Sequence, residues 1–339
     1  MIRIIETAVN AIAPMILLIG LGYYLKSIGF LSSDFIKIGN KFVFRVCLPV
    51  MLFVNVYDID NLTQMNWPVV IYCIVITFFL FCVGYLLTSV FTRFPERRGV
   101  LLQCTFRSNF AIIGLSLASA LGGAQAVANA SVISCVTIPL YNVLAVIALS
   151  VFLDADGDNN NTVKNVLVNI LKNPLIWGVL IGIVAVLIRQ IQNSLFGSVI
   201  FSIKGNLKFL YSAMNQIKSL TTPLSLIVLG GQFTFSAVKA LRREIVSGTL
   251  MRTVVAPFIG IGCAVILAAT TSFHCDSDMY PALVALFGSP VAVSSAVMAG
   301  AMGNDEQLAG QLVVWTSIAS IFTIFVQVCL LMYLGLIVV

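Results

Sequence analysis

Ten apolar stretches follow one another along this chain, and little lies between them. Each comes close to the roughly 20 residues that carry a helix across about 30 Å of hydrocarbon. Their approximate bounds are 6–25, 36–56, 68–91, 98–121, 125–152, 167–189, 213–238, 248–271, 279–302 and 307–337. A soluble domain carries roughly 25% charged residues. This chain carries 9%, with a mean hydropathy of +1.05. The expected class is an all-α membrane protein with almost no soluble mass. The first stretch has no small-residue cleavage site after it and reads as a retained helix. Segment seven is preceded by Phe201 to Ser219, where Lys204, Lys208 and Lys218 share one helical face. That pattern fits an interfacial helix or the start of a long tilted span.

The net charge of +6 is no nucleic-acid signature, because the basic residues sit in short loops, where they set topology. With the N-terminus outside, the cytoplasmic side holds Lys26, Lys37, Lys41, Arg93, Arg97, Arg98, Lys164, Lys172, Lys239, Arg242, Arg243 and Arg252. The outside keeps Arg3, Arg189, Lys204, Lys208 and Lys218, a 12-to-5 split that favours this orientation and puts the C-terminus outside too. Asp58, Asp60 and the loop from His274 to Asp278 then also fall outside. Arg45 and Arg107 remain within the membrane. Seven of the eight cysteines lie in apolar segments, Cys275 lies in a loop, and none has metal-ligand spacing. No cofactor is expected.

The longest polar stretch, Asp154 to Thr162, reads as a cytoplasmic linker over 153–163. It separates five segments over 1–152 from five over 164–339. Five is odd, so a duplicated unit of five must insert upside down. A duplication is visible: adding 181 carries Phe106–Gly123 onto Phe287–Asn304 without a gap. Identical pairs include Phe106/Phe287, Ser108/Ser289, Ala118/Ala299 and Gly122/Gly303. Two inverted five-helix repeats are a hallmark of secondary transporters.

The duplicated stretch also holds polar residues near the middle of segments four and nine. Arg107, Ser108 and Asn109 interrupt one, and Ser289-Pro290 interrupts the other. Proline cannot donate a backbone hydrogen bond and disfavours helix in the residue before it, so segment nine should break there. Ser108 and Asn109 are preferred N-cap residues and should cover freed amides at a matching break in segment four. Broken helices at this depth need protein or water to satisfy their backbone. The two positive N-terminal ends would then converge on one point, which suits an anion. Arg107 adds a charge capable of bidentate carboxylate binding. Its other reading is structural, satisfying loose carbonyls at the break or lining a cytoplasmic vestibule. Arg45 can snorkel to the cytoplasmic surface. Gln125, Asn129, Ser131, Ser294, Ser295 and Gln311 each have the bland reading of an interhelical hydrogen bond.

No carboxylate falls in mid-segment, so a buried proton relay has no support, while sodium held by carbonyls and hydroxyls at the breaks stays open. Positive groups without a counter-acid favour an anionic cargo.

The same residues resemble the auxin efflux carrier family, which includes prokaryotic permeases and plant PIN-type auxin exporters. The matching pieces are Asn40-Lys41-Phe42-Val43 leading to Pro49, Phe106-Arg107-Ser108-Asn109 followed by Gly114, and Asn173-Pro174-Leu175. Further on come Pro223-Leu224 leading to Leu229-Gly230, and Ser289-Pro290 leading to Gly303-Asn304-Asp305 and Leu308-Ala309. The resemblance implies ten helices in two inverted repeats, with helices four and nine broken and crossing at mid-membrane. It implies a scaffold of helices one, two, six and seven, a moving unit of the other six, and a homodimer. It also implies small organic anion substrates, among them malate, malonate and, in plants, indole-3-acetate. The family's crossover asparagine falls on Asn109, its contact on segment five on Ser131, and its pocket on segment two near Leu48 and Leu52. Leu52 replaces a plant-type hydroxyl and the long plant loop is absent, which favours a prokaryotic carboxylate over auxin.

The expected function is an inner-membrane secondary carrier for small organic anions, moving like an elevator, with lipid around it and sodium or proton coupling open. Asn109, Arg107 and Ser108 would form one wall of its site, with Ser289, Pro290 and Ser294 opposite. A substrate-gated channel would need a continuous polar stripe, and a sensor would need a soluble output domain. An intramembrane enzyme would need a His-Asp, Ser-His or metal-ligand set within the segments, and none of these is visible.

Overall fold

The computed structural model describes residues 2–58, 66–153, 168, 171–271, 273 and 275–337. The linker over 154–163, Asp60 and His274 lie outside the described residues. The described chain is helical, with no named strand. In order come α1 (Ile2–Ser27), α2 (Ser33–Tyr57), α3 (Trp67–Phe91) and α4 (Pro95–Phe106). The next stretch, α5, opens with a π turn over Phe110–Gly114 and continues as Leu115–Ser150, broken at Gly122 and Gly123, whose backbone leaves the helical region. Then come α6 (Pro174–Phe196), α7 (Lys208–Gln232) and α8 (Arg242–Thr270). The last are α9 (Tyr280–Leu283 with a π turn over Val284–Gly288), α10 (Ser294–Ala301) and α11 (Glu306–Tyr333).

Among the described residues six helices are long and apolar enough to cross a membrane: α2, α3, α5, α6, α8 and α11. Of the other five, α4, α9 and α10 are pieces of interrupted helices, α7 carries Lys208, Asn215, Gln216 and Lys218 within its first half, and α1 is apolar over Ala13–Ser27, a shorter stretch. Large apolar side chains such as Leu17, Leu86, Phe258 and Phe322 are exposed, as a lipid-facing surface requires.

Glycine decides which helices touch. A Cβ on Gly22 would strike the carbonyl of Ile227, and one on Gly230 the carbonyl of Ile19, so α1 and α7 meet backbone to backbone. Gly178 does the same for α6 against α2, where a Cβ would lie 2.5 Å from the Pro49 oxygen. Small residues allow this approach where no hydrophobic drive holds helices together. Gly99 meets the Ala148 carbonyl (α4 on α5) and Gly114 the Ala285 carbonyl (α5 on α9). These contacts tie α1 to α7, α2 to α6, α4 to α5 and α5 to α9. Gly230→Ala should cost about 1–3 kcal/mol through overpacking. Its thermal unfolding midpoint in detergent should fall, while that of Gly262→Ala, whose Cβ meets nothing within 4 Å, should not move.

Candidate functional site

Two helices break, and the breaks pair with each other. α4 ends at Phe106, and Arg107 leaves the helical region with φ −87° and ψ 103°. α9 ends at Gly288, after which Ser289 is extended with ψ 149°, as the residue before a proline is driven to be. The two interruptions form an isolated antiparallel bridge between Ser108 and Val291. The Asn109 amide donates to the Pro290 carbonyl at 2.8 Å, and the Ala292 amide donates to the Arg107 carbonyl at 3.4 Å. The Val291 amide donates to Thr316 Oγ1 on α11. The freed backbone groups therefore find protein partners.

Asn109 occupies the N-cap position of the helix that follows, but its side chain makes no capping bond, and neither does any side chain at the start of α10. This corrects the expectation that Ser108 and Asn109 cover freed amides. The Asn109 amide group instead faces a cavity, with its Nδ2 only 3.7 Å from Met15 Sδ.

That cavity is small, about 60 Å³, and lies at the N-terminal ends of the two second half-helices. Arg107, Ser108, Asn109, Ala292, Val293 and Ser294 form its crossover wall. Tyr141 and Asn142 of α5 flank it. The facing wall comes from Leu48, Leu52 and Asn55 on α2, and Thr221, Thr222 and Ser225 on α7. Among the described residues no carboxylate lines it. Four of its residues, Met51, Asn55, Ile138 and Thr222, also line a 310 Å³ cleft that runs to Asp58 and Lys218.

Arg107 is 3% exposed. Its Nη2 donates to Asn142 Oδ1 at 2.8 Å and to Ser294 Oγ at 2.9 Å. Its Nη1 reaches Gln103 Oε1 at 3.4 Å and the Met298 thioether. All of these partners are neutral. A buried guanidinium with no anion nearby carries a desolvation cost of several kcal/mol that neutral dipoles offset only in part.

The other expected residues are placed as follows. Ser108 Oγ lies 3.5 Å from the Tyr141 hydroxyl, and Pro290 contributes its carbonyl to the crossover. Ser289 is fully buried and its hydroxyl donates to the Ala285 carbonyl. Ser131 is apart from the rest: its hydroxyl donates to Val127 on its own helix, and it does not line the cavity. Arg45 is exposed on α2 beside a separate 640 Å³ cleft lined also by Lys172 and Asn173. Asn129 donates to the Asp278 carbonyl and Gln311 to that of Thr234, so both act as cross-chain ties.

Sequence reasoning missed Gln103, Tyr141, Asn142 and Arg252. Arg252 needs a correction. It was counted among cytoplasmic loop cations, yet it is 0% exposed and buried against the crossover. The topological split becomes 11 to 5 without it. The available signal was Pro257, five residues on, in an unbroken apolar run.

A search among curated proteins finds no match. A family model described as "Membrane transport protein" matches residues 7–328, nearly the whole chain. Within that span lie both interruptions and the cavity beside them. The chain belongs to this family of transporters, the auxin efflux carrier family, and is a multi-pass membrane protein.

Proposed function

We propose that the chain is a secondary transporter for small organic anions of the malate or malonate kind, working by alternating access with an elevator-like motion. The carrying observation is the cavity beside Arg107: a buried cation, two uncapped helix N-termini, and no carboxylate in the lining. Intramembrane charge is expensive and defaults to a functional role. Each N-terminus adds roughly half a positive charge. A carboxylate entering here would restore the balance, each charge-assisted hydrogen bond contributing about 1.5–3 kcal/mol. Asn109, Arg107, Ser108 and Ser294 would contact it, with Pro290 and Ser289 holding the opposite strand of the crossover. Ser131 would act only from a distance.

The reading of ten spans in two inverted repeats draws support from the spacing of the interruptions. Asn109 and Pro290 are 181 residues apart, the offset of the duplicated sequence. The half-helices that follow both stop at glycine with positive φ, Gly123 at 62° and Gly303 at 75°. A two-fold copy of the Asn109–Pro290 bond is barred, because Pro290 has no N–H to return it.

The elevator reading divides the helices into two groups, α1, α2, α6 and α7 against the rest. Backbone contact joins α1 to α7 and α2 to α6 in the first, and α4 to α5 and α5 to α9 in the second, and polar ties add to these. Thr221 donates to the Cys47 carbonyl in the first group. Tyr72 donates to the Gly260 carbonyl, and Arg97 pairs with Glu244 and Asp305, in the second. Contacts that cross are made by side chains, as Asn40 to Glu306 and Gly310 to Leu229 Cδ1. Such a surface can slide. The inner membrane as location, external termini, a homodimer and coupling to sodium or protons belong to the same proposal.

The test is uptake and counterflow in proteoliposomes with labelled malate, malonate and indole-3-acetate, under imposed potential, proton or sodium gradients. Saturable flux with counterflow for a dicarboxylate is expected. Unitary current steps would instead make the protein a channel. For the motion, an Asn40→Cys/Glu306→Cys pair in a background without native cysteines should stop flux when oxidised and recover it on reduction. Full flux in the oxidised pair would rule out sliding at this surface.

A further inference from the structure

The crossover contains four helix ends, and only two of them face the cavity. The other two are the C-terminal ends of α4 and α9, each bearing roughly half a negative charge on its unsatisfied carbonyls. Left bare, those ends would cancel much of the positive potential that the N-termini provide a short distance away.

One side chain covers both. Arg252 stands in a π turn of α8, Met251–Val255, where the Ala256 amide bonds to the Met251 carbonyl just ahead of Pro257. Its Nε donates to the Ser289 carbonyl at 2.9 Å. Its Nη1 donates to the Thr105 carbonyl at 3.2 Å. Its Nη2 donates to Leu286 at 3.3 Å and to Phe287 at 2.5 Å. Three of these carbonyls belong to the end of α9 and its first extended residue, and one to the end of α4. No carboxylate is among its partners, and it does not line the cavity. One whole positive charge therefore sits on about one negative charge of helix-end dipole.

We propose that Arg252 is a positioning residue that sets the sign of the transport site: by neutralising the two inward C-terminal ends, it leaves the cavity with the unopposed charge of Arg107 and the two N-termini. This rests on the anion reading of the cavity. It assigns selectivity for negative charge to a residue that never meets the substrate. A purely structural clamp would need Arg252's fork of five donors. A charge-setting residue needs the charge, so lysine should replace it in one role and fail in the other.

The experiment compares wild type, Arg252→Lys and Arg252→Met in proteoliposomes, with labelled malonate as probe and malonamide, its neutral diamide, as competitor. Size-exclusion profile and thermal midpoint are recorded for each. Arg252→Lys is expected to keep the malonate KM within threefold of wild type even where its thermal midpoint and maximal rate fall. Arg252→Met is expected to raise KM at least tenfold and to let malonamide compete. A folded Arg252→Met with unchanged KM and no competition by malonamide overturns the inference and leaves the anion reading standing. Where Arg252→Met does not assemble, Arg252→Lys decides alone: KM within threefold supports the inference, and a tenfold rise overturns it. If wild type itself shows no saturable malonate or malate flux, the anion reading fails, whatever the variants do.

Discussion

Arg107→Gln is expected to abolish dicarboxylate flux, lowering Vmax/KM at least 100-fold, while the protein stays folded. Among the described residues the guanidinium is the only charge on the cavity lining, so its removal takes away the group that a carboxylate would pair with. Two charge-assisted bonds at about 1.5–3 kcal/mol each correspond to a loss of more than 100-fold. Stability should respond differently. Deleting a buried charge that has only neutral partners relieves a desolvation cost, whereas Asn142 and Ser294 lose a donor. These effects oppose each other, so the thermal midpoint should move by only a few degrees. Arg107→Lys should rescue little, since a single ammonium cannot stand in for both Nη2, on Asn142 and Ser294, and Nη1, on Gln103 and Met298. Flux and midpoint measured on the same preparations separate the two roles; a large drop in midpoint with residual flux in step with the folded fraction would make Arg107 a structural residue.

Asn109→Ala should remove specific flux with less disturbance still. The backbone bond from Asn109 to the Pro290 carbonyl survives the substitution, so the crossover is retained. What is lost is a side chain that caps nothing and whose recorded partner is a thioether at 3.7 Å. That amide lines the cavity, where the proposed function has it bind cargo, and its loss should cost roughly 10- to 100-fold in apparent affinity. Counterflow with labelled malonate reads this directly, and unchanged flux in the variant would remove the proposed site.

The interruptions were legible because proline and paired polar residues in apolar surroundings have few structural outlets. The resemblance to a transporter family was legible because short motifs keep their order along the chain, and the family match over 7–328 agrees. Arg252 was misread for a physical reason. Counting cations near segment ends assumes that they snorkel outward, and this one turns inward to the carbonyls that the two breaks expose. Gln103 and Asn142 could not be singled out, since one amide in an apolar helix looks like any other until its partner across the bundle is known. Ser131 entered through resemblance alone, and its hydroxyl is occupied by the preceding turn of its own helix. Counting spans by length works for six helices and fails where a helix is cut in two, as at α4, α9 and α10, or carries polar residues, as α7 does.

The sparse polar traffic between the two helix groups has a thermodynamic reading. Asn40 to Glu306 is one bond to a carboxylate, of a kind that contributes about 1.5–3 kcal/mol. In an equilibrium between two docked arrangements that amount is roughly a 10- to 100-fold bias in occupancy. Under the proposed alternating access, a single amide–carboxylate pair can thus decide which mouth stands open at rest, and replacing either partner would reset that balance without touching the cargo.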